Sequence, residues 1–232
     1  MRKIENIFLG CLVLLLGFFS CKKDKEVEPT VDLGYNYYPD EVGRYVIYEV
    51  DSIYQDDPLL WRDTTRYILK EVIASTFVDN SGRTTLRLER FYKMYVDTIP
   101  YDSIAWVGPR VWYANRTSST LERVEENNRY LRLVFPAKEG EIWNGNVYNT
   151  LGEKEYEITS TDQPETINGL AFDSVVTVKQ FEQINFIERR YEEEKFARNV
   201  GLIYKVRDSL YDGGTNDTVG YTFRQKIISY GK

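Results

Sequence analysis

Groups able to carry chemistry are of few kinds in this chain of 232 residues, because it contains no histidine. Ser-His-Asp and Cys-His relays are excluded, as is any zinc site that needs an imidazole. Proton transfer would fall to Asp, Glu, Lys or Tyr, and a metal site would need oxygen ligands suited to calcium or magnesium. The adjacent carboxylates Asp56-Asp57 and Glu192-Glu193-Glu194 are the candidates for an oxygen-ligand site or a carboxylate pair; solvated charge is the commoner role of such runs. The loop from Asp212 to Asp217 lacks the alternating ligand spacing of a calcium loop. No catalytic residue and no metal ligand is assigned, and no cofactor is expected.

Two further patterns involve hydroxyls and aromatic rings. Seven of the fifteen Asp residues stand directly before Ser or Thr, which is then followed by an apolar residue or Thr. The hydroxyls so placed are Ser52, Thr64, Thr98, Ser103, Ser174, Ser209 and Thr218. Short polar side chains also mark strand ends, where they bond to nearby backbone. Trp61, Trp106, Trp112 and Trp143, together with nineteen Tyr, are the candidate platform for sugar rings or the lining of an apolar cavity. Sheet core and cross-strand pairing are the usual roles of such residues. Trp106 and Trp112 share strand parity, but Gly108-Pro109 between them is expected to break the strand.

The elements that must position these groups are strands. From Tyr37 onward, Tyr, Val, Ile, Thr and Phe occur in short runs broken by turn residues. Leu86 and Leu88 alternate with Arg87 and Glu89, and Leu131, Leu133 and Phe135 with Tyr130, Arg132 and Val134; this period of two predicts one dry face and one wet or amphipathic face. Further strands are predicted at about 44–53, 67–78, 105–113, 155–161, 175–183, 201–210 and 221–229, and 185–199 is read as strand over helix. Asp79-Asn80-Ser81-Gly82 and the Asp212 to Asp217 stretch have hairpin-turn composition. The expected fold is all-β and mainly antiparallel, with little helix: a single curved sheet, open barrel or sandwich of about 8–11 strands.

The N-terminus has a different character. Arg2 and Lys3 precede an apolar run from Ile7 to Phe19, shorter than the roughly 20 residues that span a bilayer and consistent with a removed export signal. Gly17-Phe18-Phe19-Ser20-Cys21 resembles the bacterial lipobox, which implies that Cys21 is lipidated and becomes the mature N-terminus. Phe18 stands where that motif usually has Leu. The organisation expected is a lipoprotein signal peptide at 1–20, a flexible tether at 21–33 and one β-rich domain at 34–232. Acyl chains add about 0.8 kcal/mol per buried methylene, so two or more hold the protein stably on a membrane. The net charge of −6 argues against a nucleic-acid partner.

Three stretches look like parts of uncharacterised Bacteroidetes envelope lipoproteins. They are Tyr37-Tyr38-Pro39 through Val42-Gly43-Arg44-Tyr45-Val46-Ile47-Tyr48, Leu133-Val134-Phe135-Pro136 with Gly140 and Trp143, and Phe196-Ala197-Arg198-Asn199-Val200-Gly201-Leu202-Ile203-Tyr204. Lys22-Lys23-Asp24-Lys25-Glu26 is similar in position to the charged signal that sends such lipoproteins to the surface of the outer membrane. The resemblance implies location in the cell envelope, lipid-anchored at the outer membrane and exposed at the cell surface, and implies no activity. The Asp-Ser/Thr triplets resemble the O-glycosylation signal of the same group. A binding or envelope-assembly module for a glycan, lipid or protein partner ranks first. A structural surface lipoprotein follows, and a carboxylate-dependent glycosidase comes last.

Overall fold

The structure, a computed structural model, describes residues 31–96, 98–212 and 217–232. The signal segment, Cys21 and the tether to residue 30 lie outside the described residues, as do Asp97 and 213–216 of the glycine-rich loop. Twelve strands form one antiparallel sheet: β1 (Tyr45–Asp56), β2 (Trp61–Val78), β3 (Thr84–Met94), β4 (Val107–Arg116), β5 (Thr120–Glu125), β6 (Asn128–Val134), β7 (Ile142–Asn144), β8 (Glu155–Ile167), β9 (Leu170–Ile184), β10 (Glu188–Ala197), β11 (Gly201–Tyr211) and β12 (Val219–Gly231). The order β6-β5-β4-β3-β2-β1-β12-β11-β10-β9-β8-β7 makes nearly every connection a hairpin and pairs the first strand with the last. Curvature brings the two edge strands together, giving a nearly closed barrel. There the Leu131 N–H donates to the Gly145 carbonyl at 2.9 Å and Trp143 Nε1 donates to the Leu131 carbonyl at 2.9 Å.

The all-β expectation holds, with helix limited among the described residues to the 3-10 turns Tyr35–Tyr37, Asp57–Leu59 and Tyr101–Ser103. The segment read as strand rather than helix is β10. Two strands are additional to those expected. β7 has three residues, too few for a pattern, and β5 has the inward row Leu121, Arg123 and Glu125, which breaks the apolar alternation. Gly108-Pro109 does not end its strand. It opposes the single residue Phe91 as a bulge within β4, a place where a residue without an N–H is tolerated because the ladder is already interrupted.

The interior has two storeys. On strand after strand, the row of alternate residues runs from apolar to polar: Leu88 then Arg90 on β3, Leu121 then Arg123 on β5, Phe196 then Glu194 on β10, and Ile227 then Gln225 on β12, all buried. The register aligns these rows, with Ile73 facing Leu88 and Glu71 facing Arg90. Tyr37 and Tyr38, brought in ahead of β1, pack into the apolar storey with Leu133, Phe135 and Val176. Arg198 clasps this entering segment, bonding Asp32 at 2.6 Å and Asn36 at 2.7 Å. Gly145, after β7, has no room for a side chain, because a Cβ there would fall 2.4 Å from the Tyr156 ring.

The residues of the strand around Leu131 expected on a wet or amphipathic face are mixed in character and largely buried. Arg132 is only 2% exposed and Tyr130 and Val134 are half-buried. The register shifts at this point, Leu133 pairing with Leu121 and Leu131 with Glu122, so Arg132 is an extra residue that breaks the alternation and turns inward beside Leu133.

Candidate functional site

The polar storey surrounds a cavity of about 370 Å³, within the range of about 300–1,000 Å³ usual for small-molecule sites. Its mouth lies toward the β5–β6 hairpin, marked by the exposed Arg110 and Glu126, where Trp112 Nε1 donates to Glu126 at 3.3 Å. The apolar layer of Tyr38, Tyr48 and Leu202 lies beyond the opposite end of the polar rows.

The wall is ionic. Arg123 donates to Glu71 at 2.7 Å and Arg132 to Glu125 at 2.9 Å, while Lys205 lies 2.8 Å from Glu194. Arg132 also donates to the Tyr156 hydroxyl at 3.2 Å and stands 3.5 Å from Glu194. Arg207 pairs with Glu192 at 3.2 Å, and Glu192 in turn takes Lys154 at 2.8 Å. The Arg90 guanidinium lies over the Trp112 ring, 3.4 Å from its centroid. Most of the remaining wall is aromatic, with the Tyr67 and Tyr92 rings 5.7 Å apart and Phe223 also lining it, joined by Leu202 and Gln225.

Burial and charge act against each other here. Burial alone would raise the Glu125 carboxyl, but Arg132, Lys205 and Arg123 together hold it well below the ordinary value. Glu194 is likewise lowered, burial being outweighed chiefly by Arg132 and Lys205. Burial lowers Lys205 below the usual lysine value against the pull of Glu194 and Glu125. Burial also pushes up the hydroxyls of Tyr38, Tyr48 and Tyr156, which therefore stay neutral.

A pH dependence follows. A carboxylate whose folded value is depressed contributes stability that is complete above its unfolded value, about 4.3 for Glu, and is lost as pH falls through the folded value. Glu125, Glu192 and Glu194 all have this sign. Thermal unfolding followed from pH 7 to pH 2 should give a midpoint that declines progressively below about pH 4.3. A midpoint constant to pH 2 would mean that these carboxylates contribute nothing when ionised.

The sequence candidates fare differently. Of the four tryptophans, Trp112 alone lines this cavity. Trp61 is exposed against Tyr54, Trp106 stands outside β4 under the Lys93 ammonium, and Trp143 packs on Tyr156. They do not form one platform. Asp56 caps the turn before Leu59 and Asp57 accepts from the Thr218 N–H at 2.9 Å, so both shape a hairpin. Glu192 and Glu194 face inward and are not the solvated charge expected of the run. Among the described residues there is no cluster of three or more Asp, Glu or Cys able to hold a metal ion.

Of the hydroxyls, Thr64, Thr98 and Ser103 are exposed, whereas Ser52, Ser209 and Thr218 are half-buried. Ser174 is engaged with Asp162 and accepts from Arg198 Nε at 2.8 Å. Asp208, which precedes Ser209, is buried between Arg189 and Arg224. Asn115, in the triplet Asn115-Arg116-Thr117 that matches a eukaryotic N-glycosylation acceptor, is buried and donates to Thr84 and Thr85.

No protein-family model matches the chain, and no curated protein matches it. Two crystal structures align with it, each at 10% identity over 84% of this chain and 98% of its own. One is described as an exported protein with a YMCC-like fold from Bacteroides fragilis NCTC 9343, with a TM-score of 0.48. The other is described as a lipoprotein from Parabacteroides distasonis ATCC 8503, with a TM-score of 0.41.

Sequence reasoning missed the ionic wall. Its signal was the even spacing of charges within strands, Arg123 with Glu125 and Glu192 with Glu194, beside apolar residues of the same parity. That signal marks an inward face only when the sheet is known to close.

Proposed function

We propose that the chain is a lipid-anchored envelope lipoprotein whose barrel is a non-catalytic binding module, holding a small ligand in the interior cavity. The observation that carries this reading is the 370 Å³ space lined by ordered ionic and aromatic side chains. Burying ions costs desolvation free energy, and apolar residues of similar volume are often as stabilising or more so. An ionic wall around a cavity of this size is therefore better explained by what it holds than by the stability it adds. Lipidation at Cys21 and residence at the outer membrane, at the cell surface, rest on the lipobox-like Gly17 to Cys21 segment and the charged stretch after it.

Glycoside hydrolysis needs one carboxyl kept protonated as the acid. Neither Glu125 nor Glu194 suits that part, because the neighbouring Arg132 and Lys205 lower both. O-glycosylation, if the Asp-Ser/Thr triplets are used, falls on Thr64, Thr98 and Ser103, whose exposure leaves them open to a transferase.

Native mass spectrometry of the full-length protein from its own host tests the reading. The expected spectrum contains the acylated chain plus a mass that is lost on denaturation. Mass that survives denaturation beyond the acyl groups reports glycans. An acylated chain with nothing bound would transfer the preference to a structural surface protein.

A further inference from the structure

The cavity wall carries more positive charge than its own carboxylates neutralise. Six Lys and Arg side chains line it against four Glu, and adding the neighbouring Glu192 and Lys154 leaves the excess of two unchanged. This excess lies in a chain whose overall charge is −6. The donors are also incompletely used. The Nε atoms of Arg90, Arg123 and Arg132 have no hydrogen-bond partner among the described residues but are sealed from the cavity, Arg123 Nε standing 3.4 Å from Glu125, so a ligand meets the terminal guanidinium nitrogens. Arg90, unlike Arg123 and Arg132, donates no side-chain hydrogen bond among the described residues. Glu71 stands 3.3 Å from Arg90 Nε, yet the direction does not make a hydrogen bond.

Buried guanidinium donors normally find acceptors, and an unfilled donor costs free energy comparable to a lost hydrogen bond. Arg90 is the least satisfied of the three. Its guanidinium is held over the Trp112 face at 3.4 Å, a contact that supplies no lone pair in its plane. Glu71 does not depend on it, being bound by Arg123 at 2.7 Å.

We propose that the ligand presents an oxyanion, a carboxylate or phosphate group, to Arg90 beside Arg123, carried on an apolar or ring-shaped body that lies along Tyr67, Tyr92 and Phe223. This rests on the cavity-binding reading above. A guanidinium offers paired donors that match either oxyanion, and a charge-assisted bond in a water-poor site is stronger than one in solvent. The aromatic wall supplies area for the uncharged remainder of the ligand.

The test uses the full chain at pH 7, with phenyl phosphate and benzoate as the two oxyanion probes and benzyl alcohol as the uncharged one. Calorimetric titration and ligand-dependent unfolding temperature are the readouts, since a ligand that binds only the folded state raises the latter. At least one anion should bind and the alcohol should not. Arg90→Met should weaken anion binding by about tenfold or more, as expected for a lost charge-assisted bond. Without probe, this variant should unfold somewhat more easily than the parent, because it loses the contacts of Arg90 with Glu71 and the Trp112 face, so affinity is read on its folded fraction. An arginine with a merely structural role would leave the affinity of that fraction unchanged. Alcohol binding as well as the anions, or an unaltered affinity in Arg90→Met, would overturn the oxyanion assignment while the cavity reading stood. If the host-purified protein carries no bound mass and no probe binds, both fail together.

Discussion

Glu194→Ala should lower the unfolding free energy by about 3–5 kcal/mol, the usual cost of removing one member of a buried ionic pair. The carboxylate is 2% exposed and lies 2.8 Å from Lys205 and 3.5 Å from Arg132. Its loss leaves Lys205 with Glu125 alone, 4.0 Å away. The penalty is chiefly the desolvation of cations left unmatched, so it should shrink when a cation is removed as well. Glu194→Ala combined with Lys205→Met is expected to cost less than Glu194→Ala alone, an interaction a double-mutant cycle in chemical denaturation would measure. Arg66→Ala is the comparison. The Arg66–Asp51 pair spans 3.0 Å on the surface with Arg66 64% exposed, and such pairs contribute about 0–1 kcal/mol. Equal, small costs for Glu194→Ala and Arg66→Ala would mean that water in the cavity screens the wall.

Gly220→Ala should cost about 3 kcal/mol or more, since Gly-only backbone regions alone cost other residues about 1–3 kcal/mol. Gly220 has φ +141, and an added Cβ would lie 2.0 Å from the Ser209 carbonyl oxygen on the neighbouring strand. Both β11 and β1 pair with this residue, opposite Leu210 and Gln55, so relief requires moving a ladder on one side or the other. Gly82→Ala separates the clash from the dihedral. Gly82 also has a positive φ, +75, but nothing lies within 4 Å of the added atom, so only the left-handed penalty of about 1–2 kcal/mol applies. Unfolding midpoints for the two variants should therefore differ clearly. Matching values would show that the β11–β12 ladder yields to the methyl group without strain.

The fold class was legible because strand identity is a local property. A period of two in apolar residues needs only the pleat to express it, and Leu86-Arg87-Leu88-Glu89 displays it in four residues. Turn residues then separate the runs, so a hairpin-connected antiparallel sheet followed. β5 escaped because its inward residues change character along the strand, Leu121 to Arg123 to Glu125. An alternation reading takes each charge as solvent-facing. Gly108-Pro109 misled for a related reason. Proline removes one donor, which ends a regular ladder, but the bulge opposite Phe91 has already interrupted that ladder and the strand continues.

The candidate site was far less legible. Trp112 was named among four equivalent tryptophans, and nothing in its neighbours along the chain distinguishes it from Trp61 or Trp143. What distinguishes it is Arg90, twenty-two positions away, delivered by the pairing of Leu88 with Trp112 across β3 and β4. Glu71 meets Arg123 across fifty-two positions, and Arg132 meets Glu194 across the near-closure of the barrel.

Local alternation and turn residues thus sufficed for ten of the twelve strands, and composition for the residue types available to do chemistry, including the exclusion of every histidine-dependent mechanism. Whether a charged row faces water or an interior depends on curvature and closure, which are set by the summed twist and register of twelve strands. Coulomb energy varies with distance and dielectric, and both were undefined until the sheet curled. Closure converted scattered Arg and Glu residues into one ionic wall around a cavity.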